Sequence, residues 1–536
     1  MKLSYQGIQD KQAFAQANIK LPSYDWKAMA AATEEKPVWV HFGAGNIFRG
    51  FIANLQQALL ETGDATSGIV AAETFDYDII NKIYEPHDSM TLLVALKPDG
   101  NTDKEVIASI AKGVRACSAE AEQWAQLKVI FENPSLQFAS FTITEKGYAL
   151  RGMNGDLMPV VVADIADGPD KARHAMAVVA AMMFYRFQAC GAPMALVSMD
   201  NCSHNGEKLR GSVLEIVKGW EKNGFVPAEF VAYMEDETRV SFPWSMIDKI
   251  TPRPAEVIEQ QLADLGVEEM APVITSKNTY IAPFVNAEIP QYLVVEDRFP
   301  NGRPALEKAG VYLTTREVVN MTERMKVTTC LNPLHTALAV YGCVLGYESI
   351  AAEMGDAELK KMVETIGYVE GLPVVTDPGI ISPKAFIDEV VGQRLPNPFI
   401  PDTPQRIATD TSQKVGIRFG ETIKSYIASA ELDVNSLTAI PLALAGWLRY
   451  LLGVNDNGEA FTISSDPMLA SMQEAMAGIE FGKPETVTEQ LKGILSNASV
   501  FGVDLYEAGL AAKVEGMFKE LIAGPGAVRA TLKKYL

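Results

Sequence analysis

VWVHFGAGNIFRGF, residues 38–51, changes its hydrophobic period in mid-stretch. Val38 to Phe42 form a short apolar run rich in β-formers, stopped by Gly43-Ala44-Gly45. Beyond the glycines, Phe51, Leu55, Leu59 and Thr62 recur three or four residues apart, the period of one helix face. Gly63 then stands where a left-handed residue ends a helix. A second apolar run, Gly68 to Ala72, closes on Glu73. Strand, glycine turn, helix and strand within about 35 residues make a βαβ unit, and such crossovers belong to parallel sheets.

In such a unit the first glycine permits the tight turn, and the second lets backbone N–H groups approach a pyrophosphate at a helix N-terminus. Gly43, Gly45, Asn46, Ile47, Phe48 and Arg49 are therefore the candidate dinucleotide cradle, with a plain structural turn as the alternative. Phe48 occupies the place of the usual third glycine. Glu73, at the end of the next strand, has the position of a ribose-binding carboxylate, which repels a 2′-phosphate and so favours NAD over NADP. Asp76 competes for that role.

Working outward, the runs Glu105–Ile110, Gln137–Thr144 and Met194–Met199 read as further buried strands. A long helix is expected from about Asp170 to Cys190, closed by Gly191. After residue 305 helical periodicity dominates, through 313–327, 333–346, 356–367, 404–429, 437–452 and 503–523. QYLVVEDRFPNGRP (291–304) supplies a strand and a Pro/Gly turn as the boundary. The expected architecture is an α/β Rossmann-type N-terminal domain, residues 1–304, and a mostly α-helical C-terminal domain, residues 305–536.

Composition narrows the function. Hydrophobic residues at 48% and charged residues at 21% fit a globular chain and exclude a disordered or collagen-like one. A net charge of −20 disfavours nucleic acid and anionic membranes as partners. An anionic substrate would need local cations in its pocket. The five cysteines (Cys117, Cys190, Cys202, Cys330, Cys343) are scattered, which suits a reduced, cytoplasmic location. No two of the five histidines have HxxxH spacing, so no metal is expected. The N-terminus lacks an apolar signal region, and no apolar stretch reaches membrane-spanning length.

A second constellation is MKVTTCLNPLH, residues 325–335. Asn332 before Pro333 reads as an N-cap with proline at the first helical position, which would set Asn332 and His335 on one side of a helix start. Lys326 lies among apolar residues, where desolvation lowers an amine's pKa toward the range useful for proton transfer. Spacing alone favours a structural reading: a capping asparagine, a core histidine and a snorkelling lysine.

These motifs make the chain recognisable. It resembles the polyol-specific long-chain dehydrogenases, the family of mannitol 2-dehydrogenase and fructuronate reductase, from about residue 36 to the C-terminus. The resemblance rests on GAGNIFRG (43–50), ITEKGY (143–148), SMDNCSHNG (198–206), FPWSMIDKITP (242–252), VVEDRFPNGRP (294–304), MKVTTCLNPLH (325–335), RIATDTSQK (406–414) and GWLRYLLGVNDNG (446–458). It implies that Lys326 is the general acid/base, that Asn201 and Asn332 steady the developing oxyanion, and that His335 and Asp248 contact substrate hydroxyls. It also implies that Arg406 and Lys414 close the substrate pocket. Asn201 stands just after an expected strand, at the edge where such sheets bind ligands, and so borders the cofactor as well.

The resemblance implies NAD-dependent, metal-independent interconversion of a secondary alcohol and a ketone on a small linear sugar acid or polyol. TEKGY and VVEDRFPNGRP look closer to the fructuronate reductases, so D-mannonate/D-fructuronate is the first expected pair. Mannitol and altronate/tagaturonate chemistry are the alternatives, and a silent NAD-binding regulatory relative is a different class. This sequence also departs from the family. Five residues separate Lys326 from Asn332 where four are usual, Pro333-Leu334 replace Gly-Ser, Trp244 replaces a small or polar residue, and Thr411 replaces a glycine. The oligomeric state is not legible.

Overall fold

A computed structural model describes residues 1–536 and divides the chain into two compact units. The first comprises Met1–Leu96 and Asn101–Asn320, the second Lys97–Gly100 and Met321–Leu536.

The first unit is built on six strands: β1 (Trp39–Phe42), β2 (Ile69–Glu73), β3 (Ile110–Arg115), β4 (Phe138–Phe141), β5 (Met194–Ser198) and β6 (Val240–Ser241). Their order is β3-β2-β1-β4-β5-β6, and every neighbouring pair is parallel. This is the doubly wound arrangement, whose order reverses beside β1. Trp39 pairs with Ile69 on one side and Phe138 on the other.

All residues of β1, β2, β4 and β5 are buried, as a sheet covered on both faces requires. Their side chains alternate between two cores. Trp39, Ile69 and Ala71 pack with helix α1 (Ala53–Thr62), and Val40, Phe42, Val70 and Ala72 pack in the layer of helix α2 (Ala175–Ala189). Gly63 ends α1 in the left-handed region at φ 76°, as its position in the sequence suggests.

Two expectations shift. The run Glu105–Ile110 is not one strand: Thr102–Ile107 pairs antiparallel with Thr91–Leu96 in a separate four-stranded sheet, and Ile110 opens β3. The chain changes sheet at Ala108-Ser109, where the Ala108 N–H donates to Gln57 Oε1 (2.7 Å) and Ser109 Oγ to the Ala53 carbonyl (2.6 Å). The division between the units falls at Asn320/Met321 rather than after residue 304, because Tyr312–Thr314 still pairs in parallel with Tyr292–Glu296.

The second unit is helical, with no strand element after Thr314. Helix α4 (Arg316–Met325) leads into it, and α5 (Asn332–Leu345) and α6 (Ala439–Tyr450) are almost wholly buried. Tyr341 Oη donates to the Leu442 carbonyl at 2.7 Å and ties α5 to α6. The region 404–429 is four short pieces rather than one helix: Pro404–Ile407, Thr411–Gln413, Gly416–Gly420 and Glu421–Ala428. Asp410, at φ 55°, breaks the run. No helix is long and apolar enough to cross a membrane.

One buried group is destabilising. The Glu353 carboxyl is fully buried against Gly342 of α5 and has no hydrogen-bond partner, and burial pushes its pKa well above the usual range. Its contribution to stability is present below the ordinary carboxylate pKa and is lost as pH rises through the raised value. Glu353→Gln should therefore unfold like the parent near pH 5 and at higher temperature near pH 9, by about 2–4 °C for each kcal/mol recovered. Coincident melting curves at both pH values would refute this account.

Candidate active site

The first unit contributes a nucleotide-type edge. Gly43 has φ 100°, and a Cβ there would lie 2.2 Å from the Thr142 carbonyl oxygen, so no other residue fits the turn. Beside Gly45 an added Cβ would meet nothing within 4 Å, so the turn opens onto free space where a pyrophosphate could approach the backbone. The helix then starts with a π-type turn, Phe48–Ile52, that runs into α1. Phe48 is tolerated in place of glycine because its ring turns inward and stacks on His41 at 4.1 Å and 5°. Asn46 Oδ1 accepts from Arg49 Nη2 at 2.9 Å.

Two expected coenzyme contacts are placed differently. Arg49 is fully buried and donates to the Ala282 carbonyl (2.8 Å), so its guanidinium serves the fold and is not available to a phosphate. The Glu73 carboxylate faces the protein: Oε2 accepts from Ala44 N–H (2.8 Å), and Oε1 from Thr74 (3.0 Å), Phe75 (2.9 Å) and Asp76 (3.2 Å). Burial pushes its pKa up, against these hydrogen bonds. Asp76 differs. Its Oδ2 accepts from Thr275 Oγ1 at 2.6 Å, while its buried Oδ1 has no partner.

The end of β5 is built to present Asn201. Asp200 accepts from the N–H groups of Ile143 (2.9 Å) and Thr144 (3.0 Å) and from Tyr148 Oη (2.6 Å). That lashes the end of β5 to the loop after β4 and leaves Asn201 exposed at the carboxyl edge. Helix α3 (Asn205–Lys222) follows. Asn205 accepts from Ser245 N–H (3.0 Å), and its amide donates toward the Ser198, Asp200 and Ser245 carbonyls. It thereby fixes the strand Ser245–Asp248, at whose end Asp248 lies buried. Asp200, Tyr148 and Asn205 escape a sequence reading because their partners lie about 40–60 residues away.

The second unit holds the remaining candidates. Lys326 is 3% exposed and opens a π-type turn, Lys326–Cys330, closed by Leu331 N–H to the Lys326 carbonyl at 3.1 Å. The five residues between Lys326 and Asn332 thus include an i→i+5 turn, a form that concentrates at functional sites. Asn332 is not the N-cap. Leu331 takes that place, Pro333 falls at the second helical position, and the Asn332 carboxamide keeps no intramolecular partner. The His335 ring lies 3.4 Å from Asp402, and burial holds its pKa far below the ordinary range. Arg406 is paired with Asp402, with its side chain 61% exposed. Lys414 donates to the Thr409 carbonyl, and burial together with Arg418 lowers its pKa. No group of three or more His, Cys, Asp and Glu is arranged to hold a metal ion.

A doubly wound sheet with an open glycine turn and a helical unit with a buried lysine define a class, the two-domain nucleotide-dependent dehydrogenases. Residues 38–308 match the mannitol dehydrogenase Rossmann domain and residues 319–522 the mannitol dehydrogenase C-terminal domain, so the chain belongs to the mannitol dehydrogenase family. It is 51% identical to the D-mannonate oxidoreductase of Thermotoga maritima over 536 residues, 100% of this chain and 99% of that protein. Among solved structures it is similar to a substrate-free D-sorbitol dehydrogenase (TM-score 0.78, 26% identity, 96% of this chain and 98% of that one). It is also similar to the ternary complex of Pseudomonas fluorescens mannitol 2-dehydrogenase with NAD and D-mannitol (TM-score 0.68, 26% identity, 100% and 99% covered).

Asn205→Leu removes donors and an acceptor from a fully buried cluster and should destabilise the protein by about 2–4 kcal/mol. Chemical denaturation measures this. A change under about 0.5 kcal/mol, the range of neutral surface substitutions, would show that the cluster does not hold the edge together.

Proposed function

We propose that this chain is an NAD-dependent, metal-independent oxidoreductase that interconverts D-mannonate and D-fructuronate. The observation that carries the substrate is the 51% identity, over the whole chain, to a D-mannonate oxidoreductase. A neutral hexitol is the second reading, favoured by the sorbitol and mannitol dehydrogenases among the similar structures. The five free cysteines agree with a cytoplasmic, reducing setting.

The glycine turn, open beside Gly45, fits a pyrophosphate, and the unpartnered Oδ1 of Asp76 fits a ribose hydroxyl better than the engaged carboxylate of Glu73. NAD held there would supply the hydride acceptor for oxidation of the carbinol carbon and, in its reduced form, the hydride donor for the reverse reaction. Lys326 is assigned the proton: its amine takes it from the substrate hydroxyl during oxidation and gives it back during reduction. The carboxamides of Asn332 and Asn201 are assigned N–H donation to that oxygen as charge develops on it. His335, neutral because it is buried, and Asp248 are assigned to neighbouring hydroxyls. Arg406 and Lys414 are assigned to the edge of the sugar site.

The wild type should oxidise D-mannonate with NAD and leave D-mannitol nearly untouched, followed by absorbance of the reduced nicotinamide, and chelation should not change the rate. Reversed preference would establish the hexitol reading. Lys326→Ala should lower kcat by on the order of 10²–10⁴. Near-normal turnover in that variant would assign the proton to another group. Asp76→Ala should raise KM for NAD and narrow the preference over NADP, whereas an unchanged coenzyme profile would return ribose recognition to Glu73.

A further inference from the structure

Of the buried arginines, Arg49 and Arg394 each keep one nitrogen without a partner, and two others are bound by backbone at every nitrogen. Arg186 donates to the carbonyls of Phe131, Asn133, Leu136, Ala192 and Pro193, and Arg449 to those of Leu521, Val454 and Asn455. These guanidiniums are saturated by backbone and serve the fold. Arg418 is different. Its one side-chain hydrogen bond runs from Nη1 to Thr336 Oγ1, it has no ion pair, and Nε and Nη2 find no protein acceptor yet are not sealed from solvent. Burial lowers its pKa only to about 10, so it stays charged at neutral pH.

Its position is fixed. Arg418 sits on the π-type turn Gly416–Gly420, and a Cβ at Gly420 would lie 2.0 Å from the Phe501 carbonyl oxygen, so that turn is seated on backbone. Thr336 follows His335 on α5, and Thr336 Oγ1 itself donates to the Asn332 carbonyl at 2.8 Å. The charge of Arg418 adds to burial in holding down the protonation of both His335 and Lys414. The guanidinium therefore shares one neighbourhood with His335, Lys414 and the first turn of α5. Of the nearby acids, Asp402 is held by Arg406 and His335, Asp466 by the N–H groups of Ser412 and Met468, and Asp410 acts on Lys414; none forms an ion pair with Arg418. In a chain of net charge −20, a partly buried cation with no acid beside it is the exception.

We propose that Arg418 receives the carboxylate of the sugar acid and so determines the preference for a hexonate over a hexitol. A guanidinium offers two parallel N–H groups to a carboxylate, and here Nε and Nη2 are the pair without acceptors. Arg406, whose charge is already answered by Asp402, is then secondary in this role. The inference rests on the sugar-acid reading above.

The test compares wild type, Arg418→Gln and Arg418→Lys with D-mannonate and D-mannitol, as substrates and as competitive inhibitors, after melting curves establish that each variant folds. Arg418→Gln should raise KM (or Ki) for D-mannonate roughly 10–100-fold with little change in kcat, the effect expected for losing a charged hydrogen-bond pair. The constant for D-mannitol should change less than about threefold, and Arg418→Lys should recover part of the mannonate affinity. If the wild type uses D-mannonate but Arg418→Gln keeps its KM, or loses both ligands equally, the assignment to Arg418 is wrong and the arginine only supports Thr336. If the wild type neither turns over nor is inhibited by D-mannonate, the sugar-acid reading fails, and this assignment falls with it.

Discussion

At the carboxyl end of the parallel sheet, four backbone N–H groups converge on the buried carboxylate of Glu73. One comes from the glycine turn after β1, and three come from the loop that leaves β2. Without this acceptor the three buried donors, Ala44, Thr74 and Asp76, would be unpaired, at a cost of about 1–3 kcal/mol each. Because the carboxylate belongs to β2, the shape of the turn after β1 depends on the register of the two strands, Trp39 against Ile69. The open space beside Gly45 and the placement of Asp76 follow from that one cluster. The same device recurs at β5, where Asp200 gathers the loop after β4 and so sets Asn201 at the edge.

The fold was legible in VWVHFGAGNIFRGF and the run ending at Glu73 because buried parallel strands are continuous apolar runs and glycine turns punctuate them. The same rule misread Glu105–Ile110, since hydrophobicity cannot tell one buried strand from two that meet at a turn. The candidate residues come as a set from the family resemblance alone. Their local settings were not legible. Glu73 has the position of a ribose ligand but faces backbone, Arg49 faces the Ala282 carbonyl, and Asn332 lies inside the helix that it was expected to cap. Each depends on contacts far away in sequence, which periodicity does not encode. Arg418 escaped notice for the converse reason: it stands out by the partners it lacks.

Near Arg418 and His335 the second unit separates its charges by function. Asp402 lies between His335 and Arg406 and answers the charge of Arg406. His335 is kept neutral by burial, with Arg418 and Arg406 adding to the effect. Positive charge is thereby concentrated on Arg418 and Lys414. A strongly acidic protein can in this way hold an anionic sugar while its surface repels anions at long range.

Six π-type turns interrupt the helices, among them Phe48–Ile52, Lys326–Cys330 and Gly416–Gly420. Phe48–Ile52 and Gly416–Gly420 run straight into a helix, whereas Lys326–Cys330 prolongs α4 and stops at Leu331, so a codon lost or gained there falls beside a break between two helices. The change would not be silent. Removing one residue between Lys326 and Asn332 would shift the phase of α5 relative to the lysine by up to about 100°, the angle of one residue in 3.6 per turn, less whatever the break at Leu331 takes up. His335 and Thr336 would swing with it. A change of one residue in length at this turn therefore re-aims a row of side chains together, whereas a substitution alters one.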